Sequence, residues 1–184
     1  MTDTKFKLEE QYNAFAKEFE EADRTFLDVT RPRLYPMVPK PSASKSKFLD
    51  LGCGYGRDLE HFSKQGWETY GIDASEEMIK LSKARVPYAE VRKARFDNLP
   101  FSNDFFEVIF SRYAIQHYPN TQKVFEEAHR VLKPNGNLVF LVTHPLRQFL
   151  EKNEKDYFKQ EDIKSVILDG KVTVVEPSHT CKEY

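Results

Sequence analysis

From Phe48 onward, short apolar runs alternate with stretches whose apolar residues recur at the spacing of one helical face. "KFLDL" leads into a helical pattern over 58–65 and "ETYGI" into another over 75–85; "AEVRKA" then gives a weak strand before the strong run "FFEVIFS". "QKVFEEAHRVL" reads as an amphipathic helix halted by "KPNG", and "NLVFLVT" as a further strand. Ser75 offers a hydroxyl cap for the second of these helices, with Glu76 and Glu77 at the pole that favours negative charge. Parallel strands need crossover connections, so the alternation predicts an α/β fold: a doubly wound, mainly parallel sheet with helices on both faces. Ligands of such sheets bind at the carboxyl ends of the strands.

The flanks follow other rules. Leu8, Tyr12, Phe15 and Phe19 mark one face of an N-terminal helix that must pack on something. Pro32, Pro36, Pro39 and Pro41 restrict any second helix to short pieces, and "PSASKSK" reads as a solvated connector. In the tail, "SVILDGKVTVVE" places two β-rich runs around Asp169 and Gly170, a pair suited to a tight antiparallel hairpin turn.

Composition narrows the function classes. A chain of 184 residues with 40% hydrophobic content suits a single domain with a core of its own. Lys and Arg total 28 against 29 acidic residues, so the chain carries no overall positive charge for gripping nucleic acid. Cys53 and Cys181 fit neither a disulfide framework nor a paired zinc signature, and no metal site is expected. The charged start is unlike a secretory signal and no apolar run reaches membrane-spanning length, so a cytoplasmic location without membrane contact is expected.

The densest chemistry lies in "FLDLGCGYGRDLEHF". A hydrophobic strand delivers Asp50, and Gly52, Gly54 and Gly56 precede the helix. Glycine removes the side chains that would keep a ligand off the main chain, where one glycine would suffice for a plain turn. The dinucleotide pattern needs its third glycine where Arg57 stands, so that fingerprint is not met. At the next strand end, Asp73 in "YGIDAS" can accept two parallel hydrogen bonds from a sugar diol, or cap the helix that follows.

These features resemble the first motif of the class I S-adenosylmethionine-dependent methyltransferases, and the likeness runs from Phe48 to about Val142. It implies a Rossmann-like fold in which Asp50, Gly52, Cys53, Gly54 and Gly56 receive the methionine part of S-adenosylmethionine and Asp73 holds the ribose. Ala74, Ser75 and Met78 would border the adenine. "FDNLPFSNDFFEVIFSRYAIQH" is similar to the family's fourth strand and its approach. Where the family commonly has an aspartate for the adenine amino group this chain has Arg95, leaving Asp97 and the Phe96 amide to substitute. Ser111, Arg112, Tyr113 and Ala114 would pass beside the sulfonium. "SRYA" lacks the Asn-Pro-Pro-aromatic run of nucleobase-amine methylases, which disfavours base methylation.

The resemblance further implies that residues 1–46 form a helical lid and connector, 47–143 the cofactor core, and 144–184 an incomplete C-terminal part of one domain. Tyr12 and Arg57 would reach the methionine carboxylate. His117 and Tyr113, and after them His144, are candidates for taking a proton from a small-molecule acceptor, with wall residues as the alternative. Methyl transfer from a sulfonium needs mainly alignment, so the product S-adenosylhomocysteine could form without a strong base. A cofactor-binding protein without turnover and a nicotinamide-dependent oxidoreductase are the competing readings. The family's last helix and two strands are not matched, as in a truncated chain; this would leave the fifth strand as a free edge for the hairpin or for a second copy in a homodimer.

Overall fold

In β1 (Lys47–Leu51), Phe48, Leu49 and Leu51 are all fully buried, the mark of a strand covered on both faces. The computed structural model describes residues 4–25, 28–167 and 172–184. β1 pairs in parallel with β2 (Glu68–Asp73) on one side and β4 (Phe106–Arg112) on the other. β3 (Glu90–Lys93) extends the sheet beyond β2, and β5 (Leu132–Leu141) beyond β4, for an order of β3-β2-β1-β4-β5. The chain thus winds one way from β1 to β3 and the other way from β4 to β5. The switch point lies between the carboxyl ends of β1 and β4, where such sheets hold ligands.

Two cores flank the sheet. Phe48, Phe110 and Trp67 pack on one face beneath Leu59 and Phe62 of α4 (Arg57–Lys64) and Ile79 of α5 (Glu76–Arg85). Leu49, Leu51, Ile72 and Ile109 pack on the other beneath Val124, Ala128 and Val131 of α6 (Thr121–Val131). The doubly wound fold expected from the sequence is therefore present. Ser75 caps α5 as expected, its hydroxyl accepting from the Met78 amide. α6 ends at Val131, and β5 begins at once: Leu132 pairs with Phe106, the register breaks, and Asn137 pairs with Val108. The residues between bulge out, with Asn135 at φ 64°.

The N-terminal helix differs from expectation. It is two helices, α1 (Thr4–Ala14) and α2 (Ala16–Thr25), that part at Phe15. Ala16 is buried against Tyr55 and Met78, with Tyr12 and Phe19 beside them, so the break lets one face follow the curved surface above the glycine loop. The Leu8 side chain lies outside the described residues. The prolines confine the next helix to α3 (Arg31–Leu34) and a 3-10 turn.

After β5 come α7 (Pro145–Glu151), which the sequence pattern did not signal, and the antiparallel pair β6 (Asp162–Ile167) and β7 (Val172–Pro177). The turn expected at Asp169 and Gly170 lies outside the described residues. β6 and β7 form a separate sheet and do not extend the edge at β5. Instead they lie against α1, where the Val175 amide donates to Gln11 Oε1 at 2.8 Å, and against the turn after β4, where His179 Nε2 meets the Gln116 carbonyl at 2.9 Å. No helix among the described residues is long and apolar enough to cross a membrane.

Candidate active site

The loop after β1 is tied to the end of β2. The Gly52 and Cys53 amides both donate to the Ile72 carbonyl, at 2.9 and 3.0 Å. The Gly54 amide donates to Asp73 Oδ2 at 2.9 Å and the Ser75 amide to Asp73 Oδ1 at 2.8 Å. A methyl group added to Gly52 would lie 2.3 Å from Ala114 Cβ, so that glycine lets the loop pass the chain leaving β4. At Gly54, with φ +50°, an added Cβ would meet nothing within 4 Å, because the backbone there faces open space.

That space is a cavity of about 720 Å³ at the switch point. Of the residues singled out in the sequence, it is lined by Tyr12, Gly52, Cys53, Gly54, Arg57, Asp73, Ala74, Ser75, Met78, Phe96, Arg112, Tyr113, Ala114 and His117. Four others stand outside the lining. Asp50 is buried and turned toward the Asp58 side, with Oδ2 unpartnered. Ser111 is buried and donates to the Leu51 carbonyl at 2.9 Å, bracing β1 against β4. Gly56 caps α4, where an added Cβ would strike Ser82 Oγ at 2.6 Å. Asp97 accepts from Arg95 Nε at 2.8 Å, from Arg95 Nη2 and from Tyr118 Oη at 3.1 Å, which holds its carboxyl below the usual range against the opposing effect of burial.

Burial raises the Asp73 carboxyl, an effect the Ser75 and Gly54 amides partly offset. Burial likewise pushes the Cys53 thiol well up, helped by the nearby Asp73 charge, so Cys53 lines the wall as a neutral group.

Tyr12 and His117 were separate candidates in the sequence, and the fold joins them. The Tyr12 hydroxyl lies 3.0 Å from His117 Nε2. On its other side His117 Nδ1 is 2.8 Å from Glu176 Oε2, with the oxygen off the line of an N–H bond. Glu176 is 1% exposed and accepts from Ser165 Oγ at 2.7 Å and Gln116 Nε2 at 3.1 Å. Tyr113 sits at the mouth, 38% exposed and at φ 55°, the left-handed region that costs a non-glycine residue strain. His144 also lines the cavity, but its Nδ1 accepts from the Leu146 amide at 3.1 Å and caps α7.

The opposite wall holds a buried charge cluster that sequence reading missed. Arg31 grips Asp58 through Nε at 2.7 Å and Nη2 at 3.3 Å, and its Nη1 reaches Asp28 at 2.6 Å and Asp23 at 3.2 Å. Arg57 donates to Asp23 Oδ2 at 3.1 Å, and Arg112 stands 3.5 Å from Asp58. Burial would raise the Asp58 carboxyl, yet Arg31 and Arg112 hold it low; burial and the Asp58 charge raise Asp50 well above the usual range. The three arginines thus face Asp23, Asp28 and Asp58, with Asp50 beside them. Asp58, two residues past Gly56 at the start of α4, is buried, and a buried acid needs a partner.

A parallel five-stranded sheet, a bare glycine loop at its switch point and an acid at the tip of the neighbouring strand define a nucleoside-binding α/β domain. The model of the methyltransferase domain family matches residues 49–140, half of the chain. The chain belongs to that family and is a class I S-adenosylmethionine-dependent methyltransferase domain. It is 34% identical over 106 residues to the methyltransferase YcgJ of Bacillus subtilis, covering 55% of this chain and 42% of that one. It is 33% identical over 109 residues to the sarcosine/dimethylglycine N-methyltransferase of Aphanothece halophytica, covering 55% and 39%. The chain therefore spans less than half the length of these two relatives. An S-adenosylmethionine-dependent methyltransferase from Mesorhizobium loti superposes with a TM-score of 0.68 over 83% of this chain and 74% of that one, at 23% identity, a likeness of fold.

Proposed function

We propose that the chain binds S-adenosylmethionine in the cavity at the switch point and transfers its methyl group to a small-molecule acceptor. The reading is carried by one observation: Gly54 presents bare backbone to the cavity while its amide is fixed to the Asp73 carboxylate at 2.9 Å. A carboxylate that accepts one amide on each oxygen keeps further lone pairs for a ribose diol. Ala74, Met78 and Phe96 supply apolar contact for the adenine, and the methionine end would lie over Gly52 and Gly54 toward Arg57, the Tyr12 hydroxyl being turned to His117 at 3.0 Å. Since Asp97 is engaged by Arg95, the Phe96 backbone is the better partner for the adenine edge. Asp50, Gly56 and Ser111 act by supporting the loop and strands.

When bound, S-adenosylmethionine supplies an activated methyl carbon whose electron pair stays on sulfur. The protein's part is to align the acceptor, shield it from water and accept its proton. Alignment and exclusion of water can contribute roughly 7 to 11 kcal/mol and a base roughly 3 to 5, so the shape of the cavity matters more than any one side chain. In this reading residues 1–46 cover the site and 144–184 wall its acceptor end, all within one domain. Two free thiols suit a reducing cytoplasm. The outer edge of β5, unpaired among the described residues, is a candidate homodimer contact; a monomeric mass in light scattering at high concentration would remove it.

Calorimetric titration tests the assignment. Heat released with S-adenosylhomocysteine but not NAD is expected; the converse would favour an oxidoreductase. Methyl transfer across acceptor panels then separates an enzyme from a protein that only binds the cofactor.

A further inference from the structure

Glu176 comes from outside the region the family model matches, carried by β7 onto the cavity wall. We infer that Glu176 is a positioning residue: it keeps the Nδ1 proton on His117 and so leaves Nε2 as the lone pair that takes the acceptor's proton. The inference rests on the methyl-transfer reading for its purpose, and on the geometry below for its content.

Three groups from two elements converge on the Glu176 carboxylate: Ser165 Oγ of β6 at 2.7 Å, and Gln116 Nε2 at 3.1 Å and His117 Nδ1 at 2.8 Å from the 3-10 turn after β4. Gln116 is itself fixed, since its carbonyl accepts from the Thr143 amide at 2.7 Å and its amide donates to Thr143 Oγ1 at 2.9 Å. The carboxylate therefore cannot turn away from the imidazole without losing two hydrogen bonds. An ionised carboxylate only accepts, so a ring nitrogen 2.8 Å away must carry hydrogen or suffer repulsion between lone pairs. Burial alone would raise the Glu176 carboxyl, but His117, Ser165 and Gln116 bring it down to about 2, which keeps it ionised. With Nδ1 protonated, the neutral ring has its lone pair at Nε2. Tyr12 agrees with that assignment: burial and the Glu176 and Asp73 charges raise its phenol, so its oxygen keeps a proton to donate to Nε2 at 3.0 Å.

The proton path then balances. With the carbon–sulfur bond of the cofactor broken and its electron pair left on sulfur, the methylated acceptor atom would give its proton to the Tyr12 oxygen as Tyr12 passes its own to Nε2. The imidazolium so formed stands 2.8 Å from a carboxylate that compensates its charge. The same arrangement orients metal-binding and catalytic histidines elsewhere, where a carboxylate on one nitrogen fixes the tautomer of the other.

Nitrogen-15 spectra of the histidine ring read the tautomer directly, with the His117 signals assigned by their loss in His117→Asn. At a pH high enough to leave the ring neutral, the wild-type protein is expected to show Nδ1–H. Glu176→Gln should lower the Nδ1–H to Nε2–H ratio severalfold, because a neutral amide no longer demands hydrogen on a ring nitrogen 2.8 Å away as an accept-only carboxylate does. Glu176→Gln should also bind S-adenosylhomocysteine as the wild type does, because Glu176 is assigned to the proton and not to the cofactor. A wild-type ring in the Nε2–H form, or a ratio unmoved by the substitution, overturns the inference. Should the variant not fold, the wild-type spectrum alone decides. Failure of the wild type to bind S-adenosylhomocysteine would overturn the functional reading while leaving the tautomer result intact.

Discussion

The Gly54 amide and the Asp73 carboxylate, 19 positions apart, are joined at 2.9 Å, so the bare loop and the acid at the neighbouring strand tip form one rigid unit. The acid fixes the loop and faces the cavity with the same two oxygens. Asp73→Ala is expected to weaken S-adenosylhomocysteine binding at least about tenfold in calorimetry, since hydrogen bonds to a charged group contribute roughly 1.5 to 3 kcal/mol each. Because burial raises this carboxyl above 3.8, binding should begin to weaken on acidification at a higher pH than an exposed aspartate would give. Unchanged affinity in a folded variant would remove Asp73 from the site.

Gly54 and Gly52 should fail in different ways. Gly54→Ala meets no protein atom within 4 Å and carries only the strain of φ +50°, about 1 to 2 kcal/mol for an L residue. It should fold with a modestly lower melting temperature and lose cofactor binding, because the new methyl group enters the cavity. Gly52→Ala must push its Cβ into Ala114 Cβ at 2.3 Å, and its main loss should be in stability. Wild-type affinity in Gly54→Ala would mean that the ligand does not rest on that backbone.

Much of the core was legible because parallel strands buried on both faces must be continuous apolar runs. "KFLDL" and "FFEVIFS" are β1 and β4 almost to the residue. The glycine loop, Asp73, Tyr12 and His117 were legible because each sits beside a strand end or on a periodic face. Less visible was anything that depends on where distant segments meet. The break at Phe15 answers to the packing of Ala16 on Tyr55 and Met78, which no local pattern records. Glu176 reads as one polar residue in a β-rich run, and only the fold brings it to Gln116, 60 positions earlier. Asp50 and Ser111 were rightly placed at strand ends, yet both are buried and neither lines the cavity.

Arg31 holds the N-terminal segment to α4. Arg31→Met would leave Asp23, Asp28 and Asp58 buried with one cation fewer, and breaking a buried ion pair from one side typically costs about 3 to 5 kcal/mol. Urea unfolding at neutral pH should show a loss of that order. A loss below about 1 kcal/mol would show the cluster to be hydrated and its ion pairs weak.

Glu176 should contribute stability that depends on pH with a defined sign. Its carboxyl titrates at about 2 in the folded chain against an ordinary 4.5. A carboxyl depressed by folding stabilises the folded state above its unfolded value, and that contribution fades as pH falls through the window from about 4.5 to about 2. The shift corresponds to roughly 3 kcal/mol at full ionisation. Asp73, whose carboxyl is raised, has the opposite slope: its burial costs stability once the unfolded chain ionises, and this cost is relieved in acid. Comparing the wild type with Glu176→Gln cancels the Asp73 contribution, because both proteins carry it. Their difference in urea-unfolding free energy should be widest near pH 6 and shrink steadily toward pH 3. A gap that stays constant over that range would mean that folding does not favour the ionised carboxylate, and that neither His117 nor the hydrogen bonds from Ser165 and Gln116 depress it.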